Sequence, residues 1–158
     1  MKKEVEKLLQ YVQKPARYIG GELNAVVKDK DKVDIRYAFC FPDTYEIGMS
    51  HLGMKILYGL VNDREDSWCE RVFAPDNDME EQLRKNNVPL FALESGDYIK
   101  DFDMIGFTLQ YELSYTNVLN MLNLAQIPLK SSDRKSLTPL ICVGGPCACN
   151  PDPITDFV

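Results

Sequence analysis

The sequence predicts a doubly wound α/β domain with a mainly parallel sheet. Apolar segments of strand length alternate along the chain with helical segments of about ten residues that carry one apolar face. Connections of this kind are right-handed crossovers, which place helices on both faces of a parallel sheet. The chain has 158 residues, 45% of them hydrophobic. This is the size of one domain with its own core.

Charge and cysteine content exclude several classes of protein. The 24 acidic and 18 basic side chains give a net charge of -6, which disfavours a general electrostatic grip on nucleic acid. No apolar run reaches the roughly 20 residues that span a bilayer, and the charged N-terminus is unlike a signal peptide. An odd number of cysteines favours reduced thiols. We therefore expect a cytoplasmic protein with no membrane segment and no nucleic-acid partner.

The first elements follow from the spacing of apolar residues. Residues 1–32 are expected to form an N-terminal helix and a connection, because an apolar stripe at helical spacing precedes Pro15. Residues 33–158 are expected to form the α/β domain. Its first strand, residues 33–41, becomes continuously apolar, as in a strand buried on both faces. After a loop at residues 42–50, helical spacing predicts a helix from His51.

The same pattern then recurs. Residues 71–74 indicate a strand, residues 78–86 a helix, and residues 89–93 a short strand or extended connection. A strong strand begins at Asp103 (MIGFTL), followed by a helix at residues 115–125.

The last unit is shorter. Residues 139–143 (PLICV) predict a strand, which Gly144, Gly145 and Pro146 follow. A further strand would begin at Phe157, so we expect the sheet to lack its last strand within this sequence.

Three loops are expected to form the functional edge of the sheet. Ligands of doubly wound sheets bind beyond the carboxyl ends of the strands, where the strand order reverses. The loops at residues 42–53, 108–116 and 144–150 should meet there. Their candidate cofactor-binding residues are Asp43, Ser50, His51, Thr108, Gln110, Tyr111, Glu112, Gly144, Gly145 and Pro146.

Several of these residues have a structural alternative. Ser50 would either cap the following helix or contact a ligand. His51 is the only histidine, so no histidine-pair metal motif exists. Tyr111 and Tyr115 would either pack against a flat ring or belong to the core. The two glycines would permit close backbone approach or positive φ.

Other motifs give little support for familiar chemistry. Cys147 and Cys149 form a C-x-C pattern that differs from redox and zinc motifs, which favours ordinary thiols. The sequence contains no G-x-x-x-x-G-K-[ST], no G-x-G-x-x-G after a strand and no G-x-S-x-G. Nucleotide hydrolysis, dinucleotide binding and serine hydrolysis therefore lack support.

Long motifs resemble one family. The sequence is similar to the N-terminal, cobalamin-binding-like domain of large radical S-adenosylmethionine (SAM) iron-sulfur proteins. The motifs are YIGGELN from Tyr18, FPDTYEIGMSHLGMKILY from Phe41, ERVFAPDNDME from Glu70, GFTLQYELSYTNVLNML from Gly106 and VGGPCACNPDP from Val143.

The resemblance implies a catalytic region elsewhere in the protein. A radical SAM barrel is expected beyond residue 158, with a [4Fe-4S] cluster and S-adenosylmethionine bound by a C-x-x-x-C-x-x-C motif. Residues 1–158 contain no such motif. The resemblance thus implies that the chain alone is catalytically inert, that the full-length protein is an iron-sulfur enzyme, and that the barrel is the partner of this domain.

The resemblance also implies a flavodoxin-like sheet of the cobalamin-binding type. Gly144-Gly145 and Thr108 match positions of that pattern, but the histidine motif D-x-H-x-x-G is absent, since His51 stands in MSHLG. Two interpretations remain open: cobalamin bound without a histidine ligand, or loss of the cofactor.

We therefore expect an accessory domain whose strand-end loops shape a cofactor or substrate chamber. The competing interpretation is a docking domain that binds no small molecule. A free-standing flavodoxin-like redox protein ranks last, because the loop Pro42-Asp43-Thr44-Tyr45-Glu46 is too acidic for a phosphate.

Overall fold

A four-stranded parallel sheet forms the centre of the molecule. The structure, a computed structural model, describes all 158 residues. The order of the strands is β2-β1-β3-β4, and every neighbouring pair is parallel. This is the order of the first four strands of a flavodoxin-like sheet, so the predicted fold class is confirmed. The strands are β1 (Ile35–Phe41), β2 (Ser67–Phe73), β3 (Met104–Thr108) and β4 (Leu140–Gly144).

Five helices surround the sheet. No helix has the length and apolar character needed to cross a membrane. A 3-10 turn at Leu9–Tyr11 extends the first helix. The helices are α1 (Lys3–Leu8), α2 (Tyr45–Ser50), α3 (Leu52–Asn62), α4 (Asn77–Asn86) and α5 (Tyr115–Leu124).

Two segments differ from the expected elements, and a third resolves an open alternative. β2 begins at Ser67, four residues before the predicted start, because Glu70 breaks the apolar pattern although its side chain is fully buried. Residues 45–50, expected as loop, form α2. Residues 89–93 form the extended connection, in which Phe91 makes an isolated bridge to Tyr98.

The two faces of the sheet carry separate hydrophobic clusters. Successive side chains of a strand point to opposite faces. Ala38 and Cys40 of β1 join the larger cluster with α1, α4 and α5. Phe39 and Phe41 join a smaller cluster with Met54 of α3. The domain is therefore wound on both faces, with α1 packed beside α4 outside the sheet.

Most of the apolar side chains whose spacing predicted α3 do not face the sheet. Its buried residues are Met54, Tyr58 and Asn62. By contrast, Leu52 is 68% exposed and Leu60 is 60% exposed. The helical spacing was therefore correct, but most of the side chains that produced it lie at the surface.

Buried ion pairs join the edge strand β2 to β1 and to the segment around Glu94. Arg36 of β1 donates to Glu70 at 2.5 Å and to Asp97 at 2.9 Å. Arg71 donates to Glu94 at 2.5 Å and to Glu22 at 2.9 Å. The Glu70 and Glu94 side chains are fully buried, so loss of either partner would leave an uncompensated charge, at a cost of about 3–5 kcal/mol.

The Arg36–Asp97 pair should make the free energy of unfolding depend on pH in the acid range. Burial raises the pKa of Asp97. The hydrogen bond and the charge of Arg36 lower this pKa, and because their effect outweighs that of burial, the pKa lies below its ordinary value. Ionised Asp97 thus stabilises the fold above its unfolded pKa of about 3.9, and this stabilisation is lost as the pH falls through the lower folded pKa.

We expect Asp97→Asn to lower the free energy of unfolding at pH 7 and to flatten its decrease between about pH 5 and pH 3. Urea unfolding at a series of pH values measures both effects. Glu65→Gln, at an exposed carboxylate, should leave the pH profile unchanged. An unchanged profile for Asp97→Asn would contradict the assignment.

Tyr37 lies across β3 and requires a glycine there. A Cβ atom at Gly106 would lie 2.0 Å from the Tyr37 hydroxyl oxygen, whereas a Cβ at Gly59 in α3 would meet nothing within 4 Å. The side chain of Tyr37 thus occupies the space that any other residue at position 106 would need.

We expect Gly106→Ala to lower the free energy of unfolding by about 1–3 kcal/mol through overpacking. Gly59→Ala should instead raise it by up to about 1 kcal/mol, since alanine favours a helix interior. In a Tyr37→Ala background the cost of Gly106→Ala should disappear. A cost that persists in that background would show that Tyr37 is not its cause.

Candidate functional site at the strand ends

Three of the predicted loops meet at the carboxyl edge of the sheet. β3 lies between β1 and β4, so the loops after these strands are neighbours. Thr108 and Gly144 are register partners, and the Leu109 amide donates to the Gly144 carbonyl at 2.7 Å. We name the surface formed by these loops the strand-end edge; its residues are Asp43, Thr108, Gln110, Tyr111, Glu112, Gly144, Gly145 and Pro146.

A tyrosine bridges the point where the strand order reverses. That point lies between β1 and β3, because β2 follows β1 on the other side. The Tyr111 hydroxyl donates to the Asp43 carboxylate at 2.5 Å, and this hydrogen bond raises the pKa of the Tyr111 phenol. Asn117 of α5 also spans the crevice, donating to the Pro42 carbonyl at 2.9 Å. The crevice is thus crossed by side chains.

Polar groups of the second loop bond mainly to one another. Gln110 donates through Nε2 to the Thr108 hydroxyl at 2.6 Å, and Ser114 donates to the Tyr111 carbonyl at 2.7 Å. Tyr115 donates to the Cys147 carbonyl at 3.4 Å, which links this loop to the one after β4. Glu112 is exposed.

The two glycines after β4 have different roles. Gly145 has φ +101°, and a Cβ there would lie 2.6 Å from the Leu109 carbonyl oxygen. Backbone packing within the protein therefore requires a glycine at this position. A Cβ at Gly144 would meet nothing within 4 Å, so the space above it is open. Pro146 begins the 3-10 turn that ends the loop.

Ser50 and His51 make local contacts instead of joining these groups. Ser50 donates to the Ile47 carbonyl at 2.7 Å, so the alternative in which Ser50 caps α3 is wrong. His51 is the cap: its Nδ1 accepts from the Met54 amide at 3.1 Å. The ring of His51 also packs on Phe41, with centroids 5.2 Å apart. Their predicted contact with a cofactor stays a prediction.

A polar cleft continues the strand-end edge towards β2 and α4. Its volume is about 780 Å³. Arg17 pairs with Glu46 at 2.6 Å and with Asp76, and Asp78 accepts from the Gln13 amide at 2.8 Å, so much of its charge anchors the N-terminal segment. Its polar lining comprises Gln13, Lys14, Arg17, Asp43, Thr44, Asp76, Asn77, Asp78, Glu80, Glu81, Asn117 and Asn120.

Sequence reasoning missed this second half of the edge. Asp76 follows β2 just as Asp43 follows β1, so the rule that identified the other loops also applies to it. Arg17 and Asn117 gave no such signal, since their partners lie far away in the sequence. All five cysteines are free, and no group of three or more His, Cys, Asp or Glu side chains is placed to hold a metal ion.

The fold and this edge define a parallel α/β domain of flavodoxin-like strand order. A model of the family described as "Radical SAM proteins, N-terminal" matches residues 53–158, which is more than half of the chain. The chain therefore belongs to this family of N-terminal domains.

One curated relative adds a measure of size. An uncharacterized protein of Methanocaldococcus jannaschii is 27% identical over 121 residues, which are 76% of this chain and 21% of that protein. The chain thus spans about a fifth of the length of this relative. No solved structure matches the chain.

The contrast between the glycines gives a direct test of the edge. Gly145→Ala should lower the free energy of unfolding by about 1–3 kcal/mol, because the residue has positive φ and meets Leu109. Gly144→Ala should change it by less than about 0.5 kcal/mol, since it meets no atom. Urea unfolding of both variants measures the difference, and equal costs would refute the assignment.

Proposed function

We propose that this chain is the accessory N-terminal domain of a radical SAM [4Fe-4S] enzyme, and that its strand-end edge shapes the cofactor or substrate chamber. The family match supports the first statement. The observation that carries the second is the junction of the loops after β1, β3 and β4 at one edge, with open space above Gly144. The enzyme's cluster and S-adenosylmethionine would lie in the barrel that follows.

The role of the domain is to present groups, not to perform chemistry. Asp43 and Tyr111 would offer a carboxylate and a phenol to the chamber, and the exposed Glu112 a second carboxylate. Gly144 would allow a ligand to approach the backbone closely. Free thiols are consistent with work in the cytoplasm, where thiols stay reduced.

Cobalamin is the cofactor that we propose for this edge. His51 caps α3 through Nδ1, which supports binding without a histidine ligand. The alternative is a docking domain that binds no cofactor. The Tyr111–Asp43 hydrogen bond favours that alternative, because it crosses the crevice that a ligand would enter.

Titration with hydroxocobalamin distinguishes a cobalamin-binding domain from a docking domain that binds no cofactor. If the edge binds the cofactor, the heat and visible spectrum will saturate, and the spectrum will be that of cobalamin without a histidine ligand. Gly144→Leu should then abolish binding, while Tyr111→Phe, which removes the hydrogen bond to Asp43, should retain it. Titrations should use both this chain and the protein extended by the sequence that follows in its gene.

An absence of binding in both proteins would leave the docking domain. The matched control is Leu23→Ala, at a side chain 92% exposed and outside the edge, which should bind as the unchanged protein does.

The radical enzyme itself has a separate test. The extended protein, purified without oxygen, should contain about four iron atoms per chain and change its electron paramagnetic resonance signal on addition of S-adenosylmethionine. A reading frame that stops at Val158, or an extended protein without iron, would contradict the proposal.

A further inference from the structure

A cavity lies between the N-terminal segment and α3. It is lined by residues 23–26 of that segment, by α2 and α3, and by Arg71 of β2, and its volume is about 330 Å³. This is within the roughly 300–1,000 Å³ of small-molecule sites in proteins. We name it the Arg71 cavity; its lining includes Val26, Met49, Met54, Tyr58, Gly59 and Arg71.

Arg71 brings a buried cation to this cavity. The residue is 7% exposed. Its Nε donates to Glu94 at 2.5 Å, and its Nη2 donates to Glu22 at 2.9 Å. The remaining nitrogen, Nη1, donates to no protein oxygen and instead contacts the Met49 sulfur at 3.2 Å. Because a thioether is a weak acceptor, one nitrogen of a buried guanidinium has no strong hydrogen-bond partner within the protein.

An oxygen atom of a bound molecule would satisfy this nitrogen. Buried polar groups are normally hydrogen-bonded, and a hydrogen bond to a charged group is stronger than one between neutral groups. Met49 is half-buried, and its unbranched side chain has several rotamers, so its sulfur can move aside. Since Met49 and Arg71 both line the cavity, a ligand oxygen can take the place of that sulfur.

The charges around Arg71 decide which kind of oxygen fits. Glu22 and Glu94 already place two carboxylates on the one guanidinium, and Asp63 adds a further carboxylate to the cavity lining. Lys55 also lines the cavity but is exposed, so water and salt screen its charge. A ligand carboxylate would therefore be repelled by the carboxylates already present. A carbonyl oxygen accepts the same hydrogen bond without a charge.

The rest of the lining suits an apolar ring or chain. Met54 is 2% exposed and Tyr58 is 7% exposed, and the Tyr58 ring centroid lies 4.9 Å from the Arg71 guanidinium carbon. A Cβ atom at Gly59 would meet nothing within 4 Å, so α3 leaves open space above its backbone there. Methionine side chains adapt to the shape of what they contact, so the cavity can close around a small molecule.

We propose that the Arg71 cavity binds a small uncharged molecule that carries a carbonyl oxygen. The oxygen accepts a hydrogen bond from Arg71 Nη1 in place of the Met49 sulfur. The apolar part of the molecule lies against Val26, Met54 and the open surface at Gly59. This site is independent of the strand-end edge, because the two share no residue.

Three molecules of similar shape test the chemistry of the site. Acetophenone carries a carbonyl oxygen, ethylbenzene has no acceptor, and benzoate carries a carboxylate. Each would be titrated into the isotope-labelled chain while the amide resonances of Gly48 and Gly59, which line the cavity, are followed by NMR. We expect saturable shifts with acetophenone and an affinity at least about tenfold higher than for either other molecule, because only acetophenone offers Nη1 an uncharged acceptor.

Matched variants test the location of the site. Gly59→Leu should abolish the binding of acetophenone, because the new side chain fills the open space above α3. Lys85→Leu, which adds the same side chain to the exposed surface of α4, should leave the affinity unchanged. Met49→Leu should bind acetophenone at least as tightly as the unchanged chain, since no sulfur then competes for Nη1. Urea unfolding of each variant checks that the domain remains folded.

The outcomes either support the site or overturn it. A downfield shift of the acetophenone carbonyl ¹³C resonance on binding, together with shifts at Gly48 and Gly59, would support the hydrogen bond to Nη1. Equal affinity for acetophenone and ethylbenzene would overturn the role of Nη1, and tighter binding of benzoate would overturn the uncharged class of ligand. An absence of saturable shifts with all three molecules, or binding that survives Gly59→Leu, would overturn the site itself.

Discussion

The double pairing of β1 is the constraint on which the rest of the structure depends. This strand forms parallel ladders with β2 on one side and β3 on the other, so its side chains must serve two hydrophobic layers. Ala38 and Cys40 are small and fully buried under α4 and α5, whereas Phe39 and Phe41 fill the space beneath α3. The chain passes from β1 to β2 on one side and then crosses to β3 on the other side of β1. The strand order therefore reverses at the carboxyl end of β1. The candidate functional groups lie at that reversal.

The edge strand β2 needs a different kind of support. An edge strand exposes unpaired backbone groups, and here residues 93 and 94 satisfy some of them: the Leu93 amide donates to the Arg71 carbonyl, and the Arg71 amide donates to Glu94. Arg71 also holds Glu22 of the N-terminal segment. Buried charged groups thus connect the N-terminal segment and residues 93 and 94 to β2. The helices, by contrast, are held against the sheet by apolar packing.

The sequence predicted the periodic parts of this fold and missed those that depend on distant partners. β1, β3, β4 and the helices α3 to α5 follow from apolar spacing. The start of β2 did not, because the burial of Glu70 depends on Arg36, 34 residues away. α2 did not, because its Gly48 fits against Phe41 and Phe73, a contact without a local signal. The topology predicted that the chain segments directly after β1, β3 and β4 meet at one edge, but residues 45–50 of the first expected loop form α2. The Tyr111–Asp43 bond joins residues 68 positions apart, and no local pattern predicts it.

In the proposed function, the strand-end edge is the surface that this domain presents to a larger protein. Amide hydrogen exchange of this chain and of the extended protein tests that claim most directly. We predict slower exchange in the extended protein at residues 108–116 and 144–150, with unchanged exchange in α4. Equal exchange of all these segments in the two proteins would contradict the account.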